Sequence, residues 1–400
     1  MQGANRYDRG VIARSGRTIT NPAKAAAGQV KKIHVVSIDY TLFLSVLILV
    51  LIGIIMVFSA SYYSAIRVGQ NRFNYLAVQA FAAGLGFFVM VVVANLNYRY
   101  IKRFVRLFYL ASISLLILTV LFGIGPPGAV RWLGVPNTNF TFQPSEIATL
   151  ALILMISYTL SKRRGMLKTF WGHMIIFFFI AVPILIINTS NLSAVVMLAL
   201  VGLGVLFVAS PFTLPFVGLG ALVSAIFVAL IYFAEDFRME RIAAWRNPFA
   251  PEHITDVGFQ TVQSLYAIGS GGFFGLGLGQ SRQKLGGFLP EAHNDMIFSI
   301  IVEELGLLGG GLVLFLFAVF LWRATKIAIN AGDLFGSLVA TGIAIAIVGQ
   351  AMINIGVATG AMPNTGIQLP FISYGGTSLV ITLAGVGLLL SISRYRKKLD

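Results

Sequence analysis

Apolar residues in this chain come in long, nearly unbroken runs, with short polar punctuation between them. A helix needs about 17–25 such residues to cross the hydrocarbon layer of a bilayer. Ten runs meet that length, near residues 39–60, 75–96, 103–124, 144–161, 169–187, 193–209, 212–233, 295–322, 335–358 and 376–393. The pattern predicts an all-α polytopic membrane protein of ten transmembrane helices. A basic tail, 1–38, precedes a membrane domain over 39–398, and a large loop, 234–294, separates the seventh and eighth helices. The first run is long and follows a polar stretch, so it reads as an anchor and not as a cleaved signal peptide.

Two segments depart from the run pattern. Within the large loop, "GFQTVQSLYAIGSGGFFGLGLGQS" has apolar residues at 259, 262, 265, 266 and 268. That spacing predicts a short helix lying in the membrane interface, followed by a glycine-rich turn. The second segment, "GVATGAMPNTGIQLPFISYGGTS" (356–378), carries no charge and is rich in Gly and Pro. Irregular backbone at membrane depth is tolerated where it is buried in protein or lines a cavity. A broken or re-entrant element bordering a site is therefore expected here.

Composition agrees with the runs: 57% of residues are hydrophobic, 11% charged, and the mean hydropathy is +0.86. A soluble domain is about one quarter charged. The absence of cysteine excludes disulfides, thiolate catalysis and Cys-based zinc sites. The four histidines, His34, His173, His253 and His293, are scattered with no HxxxH pair, so no metal-ligating residues are assigned. The net charge of +15 depends for its meaning on placement. With the N-terminus inside, cytoplasmic segments hold 21 of the 29 basic residues. This is the positive-inside bias, so both termini are expected in the cytoplasm and nucleic acid is not a partner.

The candidate chemistry begins in "FLPEAHNDMIFSIIVEELGLLGG" (288–310), which carries carboxylates into an apolar run. On a helix, Asp295, Ser299, Glu303, Gly306 and Gly310 form one polar and small-residue stripe. Glu304 points to the other side, so the two glutamates are not expected to share a partner. Asp295 has two readings: a helix N-cap, or a general base on a substrate hydroxyl. Glu291 and His293 stand beside it. A third cluster, "GAVRWLGVPNTNFTFQPSEIATL" (128–150), offers Arg131, Trp132, Ser145 and Glu146. Taken singly, Trp132 reads as an interface anchor and Ser145–Glu146 as a cap pair. All three clusters fall on the outer face.

There is no GxxxxGK[ST] loop, and the glycines of "GSGGFFGLGLG" follow no strand. The outer face lacks ATP, so its substrate must arrive activated. A lipid-borne diphosphate sugar fits: the diphosphate is the leaving group and the lipid needs a groove between helices. Arg131, Arg246 and Lys284 are candidates to neutralise phosphate oxygens. A divalent cation, Mg or Mn, can assist through the substrate diphosphate, although the sequence shows no dedicated cage.

The motifs "LPEAHNDMIFSIIVEELGLLG", "GAVRWL…FTFQPSE" and "TGIQLPFISYGGTSL" resemble the signatures of the SEDS family (shape, elongation, division and sporulation), over about 39–398. The resemblance implies a ten-helix fold and a peptidoglycan glycosyltransferase. Such an enzyme polymerises lipid II, the undecaprenyl-diphosphate-linked disaccharide peptide, at the outer face of the bacterial cytoplasmic membrane. It also implies a class B penicillin-binding transpeptidase as partner, with other divisome or elongasome membrane proteins. The family's essential aspartate matches Asp295, its Arg-Trp pair Arg131 and Trp132, and its SYGG motif Ser373, Tyr374, Gly375 and Gly376. Glu146, His293, Glu291 and Ser299 complete the expected substrate-binding set. Two positions depart from the family pattern: Thr149 replaces a lysine three residues after Glu146, and Asn191 replaces an aspartate. The tail and the "PEAHND" wording lean to the division (FtsW) branch over the elongation (RodA) branch. The competing readings are a lipid II flippase, which suits ten spans and intramembrane carboxylates, and a non-catalytic scaffold.

Overall fold

The structure is a computed structural model that describes residues 38–67, 69, 71–125, 130–134, 141–163, 165–188, 190–210, 236–256, 258–285, 288–289 and 292–395. Six helices come first: α1 (Tyr40–Arg67), α2 (Asn74–Asn95), α3 (Val105–Phe122), α4 (Pro144–Lys162), α5 (Phe170–Ile187) and α6 (Leu192–Ala209). Three short ones follow, α7 (Asp236–Arg246), α8 (Phe259–Gly271) and α9 (Arg282–Leu285). The chain closes with α10 (Ile297–Asn330), α11 (Leu334–Ala358) and α12 (Gly376–Arg394). Among the described residues, nine helices are long and apolar enough to cross a membrane. The protein is an all-α polytopic membrane protein. The expected span at 212–233 and the tail 1–37 lie outside the described residues.

Local chemistry sets the helix starts. Pro144 opens α4 from the first turn, where its missing N–H is no loss. Thr169, Asn191 and Asp333 cap α5, α6 and α11 by accepting from the backbone N–H of Gly172, Ala194 and Gly336. Asn191 thus performs the capping that an aspartate would. The 259–271 helix forms as its spacing predicts, and the 359–375 segment is irregular between α11 and α12.

The most buried spans are α4, α11 and α12, at 61%, 56% and 61%, against 28% for α2 and α3. The first three are therefore the centre of the bundle, and the outer helices turn side chains such as Phe81, Leu107 and Leu185 towards lipid. Helices approach closely through glycines. A methyl group on Gly387 of α12 would lie 2.7 Å from the Met90 carbonyl oxygen of α2. One on Gly53 of α1 would lie 2.7 Å from Ile372 Cα. Small residues at such crossings are how membrane helices gain packing where no hydrophobic drive separates helix from lipid.

One end of the bundle is basic. There Arg323 pairs with Asp39, and Lys102 and Arg99 pair with Asp333. α10 continues to Asn330, beyond the expected 322, and its last turns carry Arg323 and Lys326. The opposite end carries α7–α9, the 359–375 segment and a two-stranded antiparallel ribbon, Leu133–Gly134 with Thr141–Phe142.

α10 is broken at Gly306, whose φ of 70° and ψ of −171° are open only to glycine. The break frees backbone groups that a membrane protein must satisfy internally. The glycine-rich turn after α8 does so. Leu276 and Gly277 N–H donate to the carbonyls of Glu303 and Glu304, at 2.9 and 3.0 Å. Leu307 and Leu308 N–H donate to Gly272 and Phe273 carbonyls, at 3.0 and 3.3 Å.

Candidate active site

Asp295 lies in the turn 292–296, one residue outside the N-cap position of α10, which Met296 occupies without a side-chain cap bond. The capping reading of Asp295 is therefore not what its position provides. Its backbone is fixed from α11: Asn354 Nδ2 donates to the Asp295 carbonyl and to the Ile367 carbonyl, both at 2.7 Å. That one buried amide ties the aspartate's turn to the irregular 359–375 segment. The carboxylate is 8% exposed. Gln260 of α8 reaches its Oδ1 at 3.5 Å and is itself held by Asn364 at 2.7 Å.

Positive charge converges on this carboxylate. A methyl group built on Gly366 would lie 3.4 Å from Arg131 Nη1 and 3.7 Å from Asp295 Oδ2, so both side chains close on that glycine. Gly366 has φ +63°, and the absence of a side chain leaves the space between them open. Burial lowers the pKa of Arg131, while the charge of Asp295 acts to raise it. Burial also lowers that of Arg241 on α7, Arg131 lowers it further, and Asp295 opposes both. Two partly desolvated guanidiniums thus flank one carboxylate. Trp245 anchors α7 here by donating to the Gly360 carbonyl at 2.9 Å.

Two concavities meet at this point. A cavity of about 160 Å³ runs from Arg131 and Gly366 past Glu146 and Thr149 to Ile153 and Ile343 inside the bundle. Ser378 hydrogen-bonds Glu146, whose Oε2 has no partner among the described residues. Trp132, Gln368 and Ile381 wall this cavity from a second, apolar groove lined by Val78, Phe81, Leu85 and Gly376. That groove opens sideways, since Phe81 is 73% exposed on the outer surface of α2. Tyr374 and Gly375 line it as well. The rings of Tyr75, His293 and Tyr374 pack edge-on, 5.0 to 5.7 Å apart, at its inner side.

Several expected site residues serve the fold instead. Lys284 is buried in an ion pair with Glu304 and donates to Ser59 Oγ at 2.6 Å, so its ammonium is not available to phosphate. Ser299 is fully buried and bonded to Ser264 Oγ at 2.5 Å. Ser373 donates to the Asn294 carbonyl at 2.6 Å and accepts from Leu369 N–H, which shapes the turn before α12. The two glutamates do share a partner, because the 279–284 segment folds across both. Ser281 gives its hydroxyl to Glu303 at 2.5 Å and its N–H to Glu304 at 3.3 Å. Arg246 is exposed at the end of α7, and Glu291 lies outside the described residues.

Arg241, Gln260, Asn354 and Gly366 join the site without having been singled out from sequence. Only Asn354 left a usable signal. With Gln350 it forms an i, i+4 amide pair inside an otherwise apolar run, and polar groups there face the protein interior.

Comparison with known proteins agrees with this architecture. Residues 39–398 match the family described as cell cycle protein, FtsW/RodA/SpoVE. Stage V sporulation protein E of Bacillus subtilis is 40% identical over 363 residues, covering 90% of this chain and 98% of that protein. The probable peptidoglycan glycosyltransferase FtsW of Geobacter sp. (strain M18) is 38% identical over 362 residues, covering 89% and 96%. Among solved structures, a chain from work on structural coordination of polymerization and crosslinking by a peptidoglycan synthase complex superposes with a TM-score of 0.74 at 27% identity, covering 91% of this chain and 99% of that one. The rod shape determining protein RodA of Thermus thermophilus gives 0.66 at 27% identity, with the same coverage. The chain belongs to the FtsW/RodA/SpoVE family, the SEDS proteins, and is FtsW-like.

Proposed function

We propose that this chain polymerises lipid II into glycan strands at the outer membrane face, with Asp295 as general base. The observation that carries this reading is a buried carboxylate flanked by Arg131 and Arg241, beside the cavity that Arg131 and Gly366 line and its lipid-open neighbouring groove. The relatives named peptidoglycan glycosyltransferase, which match nearly the whole chain, support the activity. The acceptor hydroxyl oxygen attacks the anomeric carbon of the donor, whose bond to the diphosphate oxygen breaks. The hydroxyl proton passes to Asp295, and the lipid diphosphate leaves with its new charge beside the guanidiniums. The apolar groove beside Phe81 and Gly376 is of the kind a polyprenyl chain needs.

Among the described residues, no three His, Asp or Glu side chains are grouped to hold a metal ion. A Mg or Mn ion would therefore be held mainly by diphosphate oxygens, as such ions commonly are. A class B penicillin-binding transpeptidase is the proposed partner. The similarity to a chain of a peptidoglycan synthase complex supports it. A role in division follows the FtsW likeness. The flippase reading is weakened because Glu303 and Glu304 are engaged by the 279–284 segment and line no path.

The test is polymerisation of lipid II by purified protein, with and without the transpeptidase. Asp295→Asn preserves shape but cannot take the proton, and loss of a general base typically lowers rate by about 10²–10⁴-fold. Polymer should disappear on gels while melting temperature and partner binding persist. Near wild-type polymer from Asp295→Asn would overturn the base and favour transport.

A further inference from the structure

The basic end of the bundle holds a cleft that the proposed reaction does not use. It lies between α3, α4 and α5 and measures about 270 Å³. Its rim carries Arg106, Lys162 and Arg163, and its floor is apolar, from Met155, Ile175 and Phe179. Tyr158 stands between rim and floor. Arg106 Cζ lies 5.6 Å from its ring centroid and Lys162 Nζ 5.9 Å, so both cations gather on one aromatic ring.

Among the described residues, two carboxylates at this end neutralise three of its cations. Asp333 takes Arg99 and Lys102, and Asp39 takes Arg323. None of the rim cations has an acidic partner within ion-pairing distance among the described residues, and Asp39 and Asp333 on this face are already engaged. The positive-inside bias alone would scatter cations over the rim. Arg103 and Lys326 behave in that way, resting on Tyr100 and Trp322 and not lining this cleft. Arg106, Lys162 and Arg163 instead share one concavity whose depth along α4, from residue 163 to 155, is about 12 Å at the helical rise. That is a charged mouth above an apolar slot, the shape of an amphiphile with an anionic head.

We propose that this cleft binds one anionic phospholipid, its phosphodiester held by Arg106, Lys162 and Arg163 and an acyl chain laid against Met155, Ile175 and Phe179. Tyr158 keeps the two cations convergent by cation–π contact. Seated across three helices, the lipid would tie the α4 that lines the catalytic cavity to α3 and α5. The proposal is independent of glycosyl transfer and of which membrane face is cytoplasmic.

The test is native mass spectrometry of the intact protein in neutral detergent, titrated with phosphatidylglycerol or phosphatidylcholine of equal chain length. Wild type should retain one phosphatidylglycerol in preference to phosphatidylcholine. Arg106→Gln with Lys162→Gln should weaken that first site by about tenfold or more, since each cation near a lipid headgroup contributes measurably. Arg103→Gln with Lys326→Gln removes the same charge elsewhere and should leave the site intact. Each single site variant should show part of the loss, which keeps the readout if the double does not fold. Equal weakening in both doubles would mean diffuse attraction only, and retention in the site double would remove the cleft from consideration. Displacement by millimolar glycerol 3-phosphate would make the ligand a free phosphate and overturn the lipid.

Discussion

At the residue scale, the chain spends its few intramembrane charges in two different ways. Asp295 lies beside Gly366 and Arg131, which line a cavity, whereas Glu303 and Glu304 are closed off. Glu303 accepts from Arg282 N–H at 2.8 Å and from Ser281 Oγ, and Glu304 accepts from Ser59, Gly279 N–H and Lys284. Removing one member of a buried ion pair leaves the other charge uncompensated, typically at about 3–5 kcal/mol, while replacing both by well-packed neutral groups is often neutral. Glu304→Gln should therefore lower the melting temperature sharply. Adding Lys284→Met to it should recover most of the loss. If the double variant melts no higher than the single, the pair is not the source of the stability. The motif residues were legible as a polar set because charge is so rare in the runs. Which of them the fold would bury in pairs was not legible, because it depends on the 279–284 segment, about twenty residues away in sequence, folding over the glutamates.

At the element scale, the spans were legible for a simple reason: the bilayer imposes a length, and the apolar runs meet it to within a few residues at most boundaries. The break in α10 was not, since helical periodicity runs straight through Gly306 and the groups that satisfy the break come from another element. A methyl group at Gly306 would lie 2.3 Å from the Phe273 carbonyl oxygen and 2.4 Å from Gly275 N. Backbone in that region costs a non-glycine residue roughly 1–3 kcal/mol before any clash. Gly306→Ala should destabilise by at least that much, whereas Gly311→Ala, with nothing within 4 Å, should be near neutral or slightly stabilising. Similar melting curves for the two would place no constraint at 306. At the start of α11, burial acts to raise the Asp333 pKa. Hydrogen bonds from Lys102 and Gly336 N–H and the Lys102 charge outweigh it, so the net shift is down from 3.8. A depressed carboxylate stabilises the fold at pH above its unfolded value and loses that contribution as pH falls through the folded one. Below about pH 4 the wild type should lose melting temperature faster than Asp333→Asn. Parallel acid profiles for the two proteins would exclude that linkage.

At the scale of the whole molecule, three stretches spread over more than two hundred residues supply one site, and their order in the chain gave no hint of the distances. Motif resemblance pointed to the assembly. The reason it works is physical: antiparallel helices return every second loop to the same face, so loops 123–143, 236–296 and 359–375 share one end of the bundle. The remaining question at this scale is which end faces the cytoplasm. The basic end holds Arg99, Lys102, Arg103, Arg106, Lys162, Arg163, Lys168, Arg323, Lys326 and Arg394, and the site end holds Arg72, Arg131, Arg241, Arg246, Arg282 and Lys284. Basic residues in short loops set orientation through the cost of translocating them. The basic end should therefore be cytoplasmic and the site external. The chain has no cysteine, so single introduced thiols report without background. Glu252 and Lys168 are both exposed at opposite ends, and neither is a positive-φ position, unlike Gly165 nearby at +88°. In intact cells, Glu252→Cys should label with a membrane-impermeant maleimide and Lys168→Cys only after permeabilisation. The reverse pattern would place Asp295 in the cytoplasm, where ATP-linked chemistry is open to it, and external polymerisation would have to be abandoned.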